Sequence, residues 1–414
     1  MSVARGKATD FSCVITKNMT MKGANFLEKL LDNQPVEWKK LGEVCDIKTG
    51  QMINKRMIAE HPGIYPVINS GREPLGYTSL WNTEDEPIGI TTRGAGVGSV
   101  LWQEGKYFRG NLNYSVAIKD RSSCLVRYLY YYLLESQYEI HALCTFTGIP
   151  ALNASELKKL AIPIPSLSVQ SRIVEILDKF TAMEAELQAE LELRKKQYAY
   201  YREQLLNFSY TPPSEFNVVY RKLGEVFLTR NGYTPSKSNP EYWEGGTIPW
   251  YRMEDIRENG RILSDALQHI TPKGVKGNRL FKADSIILAT TATIGEHALI
   301  TTDALCNQQL TNFEIKEDFK DKLLSKFVFY YFYVIDDWCK KNVNVSSFPS
   351  VSVPKLKKLD FPIPPLSVQS RIVEILDKFD TLTNSISEGL PLEIQLRKQQ
   401  YEYYREQLLA FPHS

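Results

Sequence analysis

The sequence predicts an α+β fold: two α/β domains in a pseudo-two-fold arrangement, separated by two long antiparallel coiled-coil-like helices. Three observations carry that expectation. A block of the chain occurs twice, each copy has the apolar period of one very long helix, and each is preceded by a divergent stretch of short strands and polar turns.

The repeat comes first. Leu167 to Phe180 (LSVQSRIVEILDKF) returns without change at Leu366 to Phe379. Upstream, Leu157-Lys-Lys-Leu160 and Pro163-Ile-Pro165 match Leu356-Lys-Lys-Leu359 and Pro362-Ile-Pro364 in the same register. Downstream, Leu193-Arg-Lys-Lys-Gln-Tyr198 and Tyr200-Tyr-Arg-Glu-Gln-Leu-Leu206 match Leu396-Arg-Lys-Gln-Gln-Tyr401 and Tyr403-Tyr-Arg-Glu-Gln-Leu-Leu409, but four residues later than the upstream register predicts. The second copy has gained about one helical turn of sequence. Weaker echoes reach into the divergent blocks: Lys40-Leu-Gly-Glu-Val44 recurs as Lys222-Leu-Gly-Glu-Val226, and Arg127–Tyr132 parallels Lys326–Tyr331. Glu28-Lys-Leu-Leu31 echoes Glu203-Gln-Leu-Leu206, which suggests a cyclic order in which the N-terminal piece completes what the C-terminal helix leaves open.

Within the first copy Ile173, Leu177, Phe180, Leu187, Leu191, Tyr198, Tyr201 and Leu205 form one narrow apolar stripe, the pattern of a coiled-coil partner. A helix of about 40 residues would run on the order of 60 Å. Pro163 and Pro165 precede it and Pro212-Pro213 follow it. The second copy contains Gly389 and Pro391, so a kink or break is expected there. Ala185-Glu-Leu-Gln188 and Ala189-Glu-Leu-Glu192 form a tetrad repeat, which could alter helix length while returning to nearly the same face. Such a run is either ordinary helix or a ruler, and two domains joined by it favour the ruler.

In the divergent blocks Tyr65–Ile68, Pro87–Thr91, Tyr114–Ile118, Ser285–Ala289 and Asn312–Ile315 read as strands, and Arg127–Tyr138 and Lys326–Trp338 as helices. The tyrosines of those helices are assigned to the core in preference to base stacking. The loops between these elements carry side chains suited to base edges and phosphates. In the first block these are Lys48, Gln51, Asn54, Lys55, Arg56, Arg72, Arg93, Arg109 and Asn111. In the second they are Arg230, Asn231, Tyr233, Ser236, Lys237, Arg252, Arg279, Thr290, Thr291, Asn307 and Gln308. Arginine pairs with guanine and asparagine or glutamine with adenine through matched donors and acceptors. Each cluster alone is compatible with solvated surface. Their recurrence in divergent blocks on a duplicated frame favours nucleic-acid reading.

Composition narrows the class further. Apolar residues make up 43% and charged residues 24% of the 414, as in a globular chain. No apolar run approaches a membrane span, and Met1 to Thr20 lack a secretory pattern and are expected to form a loose, partly disordered extension. Six scattered cysteines imply reduced thiols in a cytoplasmic protein. A net charge of +2 argues against binding DNA by bulk charge alone, so contacts must come from local patches or from a complex in which partners add basic surface. Catalytic motifs are missing: Ile164-Pro-Ser166 and Ile363-Pro-Pro-Leu366 lack the polar and aromatic residues of an amino-methyltransferase, and no phosphate loop occurs. Gly94–Gly98 precedes a strand-like run and reads as a tight turn; Asp336 and Asp337 are adjacent on a helix and point apart. None of the five histidines has metal-ligand spacing.

The doubled Pro-Ile-Pro, LSVQSRIVEILDKF and Leu-Arg-x-x-Gln-Tyr blocks around two divergent segments resemble the specificity subunits of type I restriction–modification systems, from Asn25 to Phe411. Thr234-Pro-Ser-Lys237 fits the frame of that family; Gln51–Lys55 stands in its place in the first copy. Residues 1–20 fall outside the resemblance, which implies target-recognition domains at 21–160 and 213–360 and spacer helices at 161–212 and 361–414. It implies no catalytic residue, metal or cofactor in this chain. Partners would be double-stranded DNA with a split asymmetric target, two adenine methyltransferase subunits holding S-adenosylmethionine, and two restriction subunits using ATP and Mg. Methyltransferase docking would fall to Gln170, Arg172, Tyr201 and Arg202 and to Gln369, Arg371, Tyr404 and Arg405. A duplicated coiled-coil scaffold without DNA contacts is the competing class; salt-dependent DNA binding separates the two.

Overall fold

The computed structural model describes residues 26–71, 73–208, 217–344, 349–385 and 387–412. The extension expected at 1–20, Arg72 and Pro212-Pro213 lie outside them. The chain divides into two units, Met1–Glu186 with Gln395–Ser414, and Leu187–Ile394. The two long helical regions are therefore shared between the units and do not form domains of their own.

The first unit begins with α1 (Phe26–Leu31), β1 (Glu37–Lys40) and β2 (Cys45–Thr49). Then come β3 (Pro62–Ile68), β4 (Tyr77–Thr78), β5 (Ile88–Thr91), β6 (Val100–Trp102), β7 (Phe108–Arg109) and β8 (Asn113–Ile118), followed by α2 (Val126–Glu135) and β9 (Ala161–Ile164). The main sheet has the order β2-β8-β5-β6 and a smaller one β4-β3-β7. All five predicted strand segments of the chain are present. Gly94–Gly98 is a turn leading into β6, with positive φ at Gly94 and Gly98.

β1 pairs antiparallel with β9, and the intervening Leu41-Gly-Glu-Val44 turn of helix locks that neck: Leu41 and Gly42 donate to the carbonyls of Leu160 and Lys158. Glu43 reaches back to the backbone N–H of Lys40, satisfying a helix-end donor.

The helix α3 (Leu167–Leu206) is 40 residues long. Its first half buries Ile173 and Leu177 in the first unit's core with Tyr128, Leu129, Tyr131 and Leu133 of α2. Leu27 and Leu31 of α1 enter the same core beside Leu408, Leu409 and Phe411 from the far end of the chain. The cyclic order read from the repeat is thus how this core closes.

The second unit repeats the plan. β10 (Val219–Lys222) pairs with β19 (Asp360–Ile363) around Leu223–Val226, and Leu223 and Gly224 donate to Leu359 and Lys357. Between them lie β11 (Phe227–Asn231), β12 (Ile248–Tyr251), β13 (Ile262–Leu263), β14 (His269–Ile270), β15 (Ser285–Ala289), β16 (His297–Ile300), β17 (Leu305–Cys306) and β18 (Leu310–Ile315). The sheets run β11-β18-β15-β16-β13 and β14-β12-β17. The aromatic helix α4 (Ser325–Lys341) packs on the larger sheet, with Phe327, Phe329, Tyr330 and Phe332 buried. On it Asp336 is buried against His297 and Arg261 while Asp337 is exposed, so the adjacent carboxylates do point apart.

The second copy of the long helix is broken, as Gly389 and Pro391 predict, into α5 (Leu366–Asn384) and α6 (Gly389–Leu409). Within the second unit Tyr198 and Tyr201 stack on Phe379, and Leu191 packs with Leu390 and Ile394, an antiparallel pairing. Within the first unit Tyr404 stacks on Phe180 and Lys398 pairs with Glu184, antiparallel again.

Candidate nucleic-acid interface

In both domains the same loops converge at one edge of the main sheet. In the first, Gly50 and Gln51 donate to the carbonyls of Asn113 and Arg109, and Thr92 donates to Leu112. In the second, Gly232 and Tyr233 donate to Leu310 and Cys306, and Thr290 donates to Gln309. A fourth loop joins each set: Leu152 donates to Thr92 and Val351 to Thr290. Gly50 and Gly232 are required there, because any Cβ would run into the carbonyl of Gly110 or Asn307.

This pairing makes Gln51 equivalent to Tyr233, Arg93 to Thr291, and Asn111 to Gln308. Lys48, Gln51 and Arg93 are exposed and Asn111 is half-buried. Asn231 and Gln308 are exposed, while Tyr233 and Thr291 are half-buried. The Gln308 carboxamide oxygen accepts from the Thr234 hydroxyl at 2.6 Å, which holds the amide in one orientation with its NH2 group free to donate. Asn231 accepts from Thr311 at 3.0 Å. One backbone frame therefore presents two different sets of side chains.

Around this edge the remaining polar residues differ in availability. Lys55 and Arg56 lie exposed on the helix Lys55–Glu60, Arg56 paired with Glu60 at 2.7 Å. Asn54 spends its oxygen capping that helix at the Met57 N–H, 3.0 Å away. Ser236, Lys237 and Arg279 are exposed, and the Ser236 carbonyl accepts from Trp243. Arg252 is half-buried at the start of the helix Met253–Asn259, its backbone N–H held by Asp255 at 2.7 Å.

Several residues assigned to DNA contact on sequence grounds have internal work instead. Arg109 is buried, and its guanidinium donates to Asn113 Oδ1 at 2.6 Å, to the carbonyls of Tyr114 and Glu86, and to the Tyr107 hydroxyl. Burial lowers its pKa, opposed by the neighbouring Tyr107 and Glu86, and the Tyr107 phenol is pushed up to about 12 by burial. Arg109 fastens the loop from the inside. Arg230 donates to the Leu280 carbonyl at 2.6 Å and lies over the Phe281 ring. Thr290 is buried against Thr311, and Asn307 turns inward to Gln309. Tyr233 donates to the Gly274 carbonyl and accepts from the Lys276 N–H.

Part of the docking set likewise has internal partners. Gln170 is fully enclosed: it accepts from the Leu125 N–H at 2.8 Å and donates to the carbonyls of Ser123 and Pro165. Gln369 makes the same three bonds, from Leu324 N–H and to Lys322 and Pro364. Arg405 pairs with Glu135 at 2.6 Å, and Arg202 lies 3.9 Å above the Tyr333 ring, each within its own unit. Tyr201 and Tyr404 stack on Phe379 and Phe180. Arg172 and Arg371 are exposed, Arg172 paired with Glu175.

Sequence reasoning missed a further repeated clamp. Asp178 accepts from Arg127 at 2.8 Å and from the Tyr131 hydroxyl at 2.5 Å; Asp377 accepts from Lys326 and Tyr330. The signal was present, since both carboxylates fall in the unchanged repeat block.

Comparison with known proteins decides the family. The model of the type I restriction modification DNA specificity domain matches twice, at residues 33–193 and 215–396. The chain belongs to the specificity subunits of type I restriction–modification systems. It is 37% identical to the EcoR124I/EcoR124II specificity subunit of Escherichia coli, over 95% of this chain and 98% of that one. Against the EcoprrI specificity subunit of Escherichia coli identity rises to 50%, over 46% of this chain and 49% of the relative. A type I specificity subunit from M. genitalium shares the fold at TM-score 0.56 and 20% identity, covering 92% of this chain and 98% of that chain. A chain solved for complex assembly of a type I restriction–modification system shares it at TM-score 0.58 and 15% identity, covering 91% and 98%. As a specificity subunit the chain is a DNA-recognition component, and among the described residues no helix is long and apolar enough to cross a membrane.

Proposed function

We propose that each domain of this specificity subunit reads one half of a split, asymmetric DNA site, and that the chain itself catalyses nothing. The observation that carries the reading is the shared sheet edge: the same backbone bonds present Gln51, Arg93 and Asn111 in one domain and Thr291 and Gln308 in the other, where Tyr233, at the place of Gln51, is bonded inward. A common frame with different donors and acceptors is what two readers of different half-sites require. Lys48, Lys55 and Arg56 in the first domain, and Lys237 and Arg279 in the second, are the exposed cations available to phosphates. The long helices would set the spacing of the half-sites and carry two methyltransferase subunits, which supply S-adenosylmethionine chemistry on adenine. Restriction subunits using ATP and Mg would join through that assembly. Arg172 and Arg371, exposed at equivalent positions of the repeat, and the exposed Tyr201 are members of the docking set able to meet a partner.

The test is adenine-methylation mapping in a host expressing this chain with its neighbouring methyltransferase subunit. One split motif, present only when both proteins are made, is the expected result. No new methylation despite a stable complex would overturn the reading.

A further inference from the structure

We infer that the four residues gained by the second copy of the long helix are silent for spacer length, because one helix ends at Asn384 and the next begins at Gly389, so that the gain extends neither. This rests on the spacer role proposed above. The boundaries show it first. α3 has 40 residues, and α5 and α6 have 19 and 21, so the two shorter helices together contain as many helical residues as the long one. The repeat matches Leu167–Phe180 to Leu366–Phe379 and Leu193–Leu206 to Leu396–Leu409, and carrying each register to the helix ends sets Leu167–Ala185 against Leu366–Asn384 and Glu186–Leu206 against Gly389–Leu409. The whole gain therefore falls between Asn384 and Gly389.

Two side-by-side placements show that the chain folds back beside α5 before α6 begins. Gly389 sits beside the last turn of α5: a Cβ there would meet the carbonyls of Thr381 and Leu382, and its φ of 76° is one glycine adopts freely. Ser385 turns the chain, its hydroxyl accepting from the backbone N–H groups of Ser387 and Glu388. Pro391 falls in the first turn of α6, where the missing N–H has no partner to lose. In a continuous helix Leu390 would lie about 12 Å beyond Leu382 along the axis. Instead both pack in one cluster with Leu187 and Leu191 of α3, which are about 6 Å apart along theirs. Leu390 and Ile394 thereby take the places that Leu187 and Leu191 hold in the first copy.

Two variants of the full chain test this. One deletes residues 385–388 and carries Gly389→Glu and Pro391→Gln, the residue types of the first copy at those places. The other inserts Gly-Ser between Ser387 and Glu388. In a loop two residues are harmless; in a helix they would turn Leu390 and Ile394 by about 200° away from α3. With the methyltransferase subunit, both variants are expected to methylate the parent's motif with the parent's spacer. Unchanged half-sites with an altered spacer would overturn the inference while leaving the reading of function standing. Thermal unfolding decides independently of methylation: the insertion variant should unfold within about 2 °C of the parent, and a drop of about 5 °C or more would overturn the loop. A parent that methylates nothing would count against the proposed function, and the unfolding comparison would still decide the loop.

Discussion

A glutamine on the first turn of a long helix holds three backbone groups that no helix or sheet bond reaches. Gln170 does this between α3, Pro165 ahead of it and the start of α2; Gln369 does it again between α5, Pro364 ahead of it and the start of α4. Removing the amide leaves one N–H and two carbonyls enclosed without partners, each costly. Gln170→Leu and Gln369→Leu are each expected to lower stability by about 3 kcal/mol in urea denaturation. Arg172→Ala, on the exposed pair with Glu175, should cost under about 0.5 kcal/mol. Weakened methyltransferase binding by Gln170→Leu at unchanged stability would contradict the internal role. Arg109 belongs to the same class, a charge spent inside so that the Gly110–Asn111 turn stands where it does.

At the scale of the element, the tetrad run in α3 explains how length can change without unpacking. Leu187 and Leu191 are four residues apart and both face Leu382, Leu390 and Ile394. Four more residues rotate an α-helix by about 40° and lengthen it by about 6 Å. Inserting Ala-Glu-Leu-Gln after Gln188 should therefore keep an apolar stripe and shift the spacer of the methylated motif while both half-sites stay the same. Methylation mapping of that variant checks it. Loss of complex assembly would show that register, and not length, dominates at this point.

For the whole molecule the repeat has a consequence for modularity. Each unit closes its own core with pieces from both ends of a long helical pair, and the first recruits α1 and the final turns of α6. The neck strands β10 and β19 bring the ends of the second domain together, so residues 218–360 enter and leave at one place. Exchanging 218–360 for the corresponding block of a relative should change one half-site only, read by methylation mapping. An altered first half-site would contradict modular reading.

The sequence by itself determined the duplication, the broken second helix, five of the strands and the family, because period, punctuation and self-similarity are local properties of the chain. It also placed the aromatic helices in the core, since tyrosines at helical spacing in an apolar run have few other uses. What it could not decide was which polar residues face out. Arg109 and Arg93, or Asn307 and Gln308, are indistinguishable as letters in polar loops. Only the folded sheet edge turns one of each pair inward, Arg109 to buried carbonyls and Asn307 to the backbone N–H and side chain of Gln309, and leaves the other at the surface. The same holds for Gln170, whose repeat in two copies looked like a shared partner and proved to be a shared internal bond. Burial is a sum over contacts from the whole chain, and a polar side chain acquires its role only when that sum is complete.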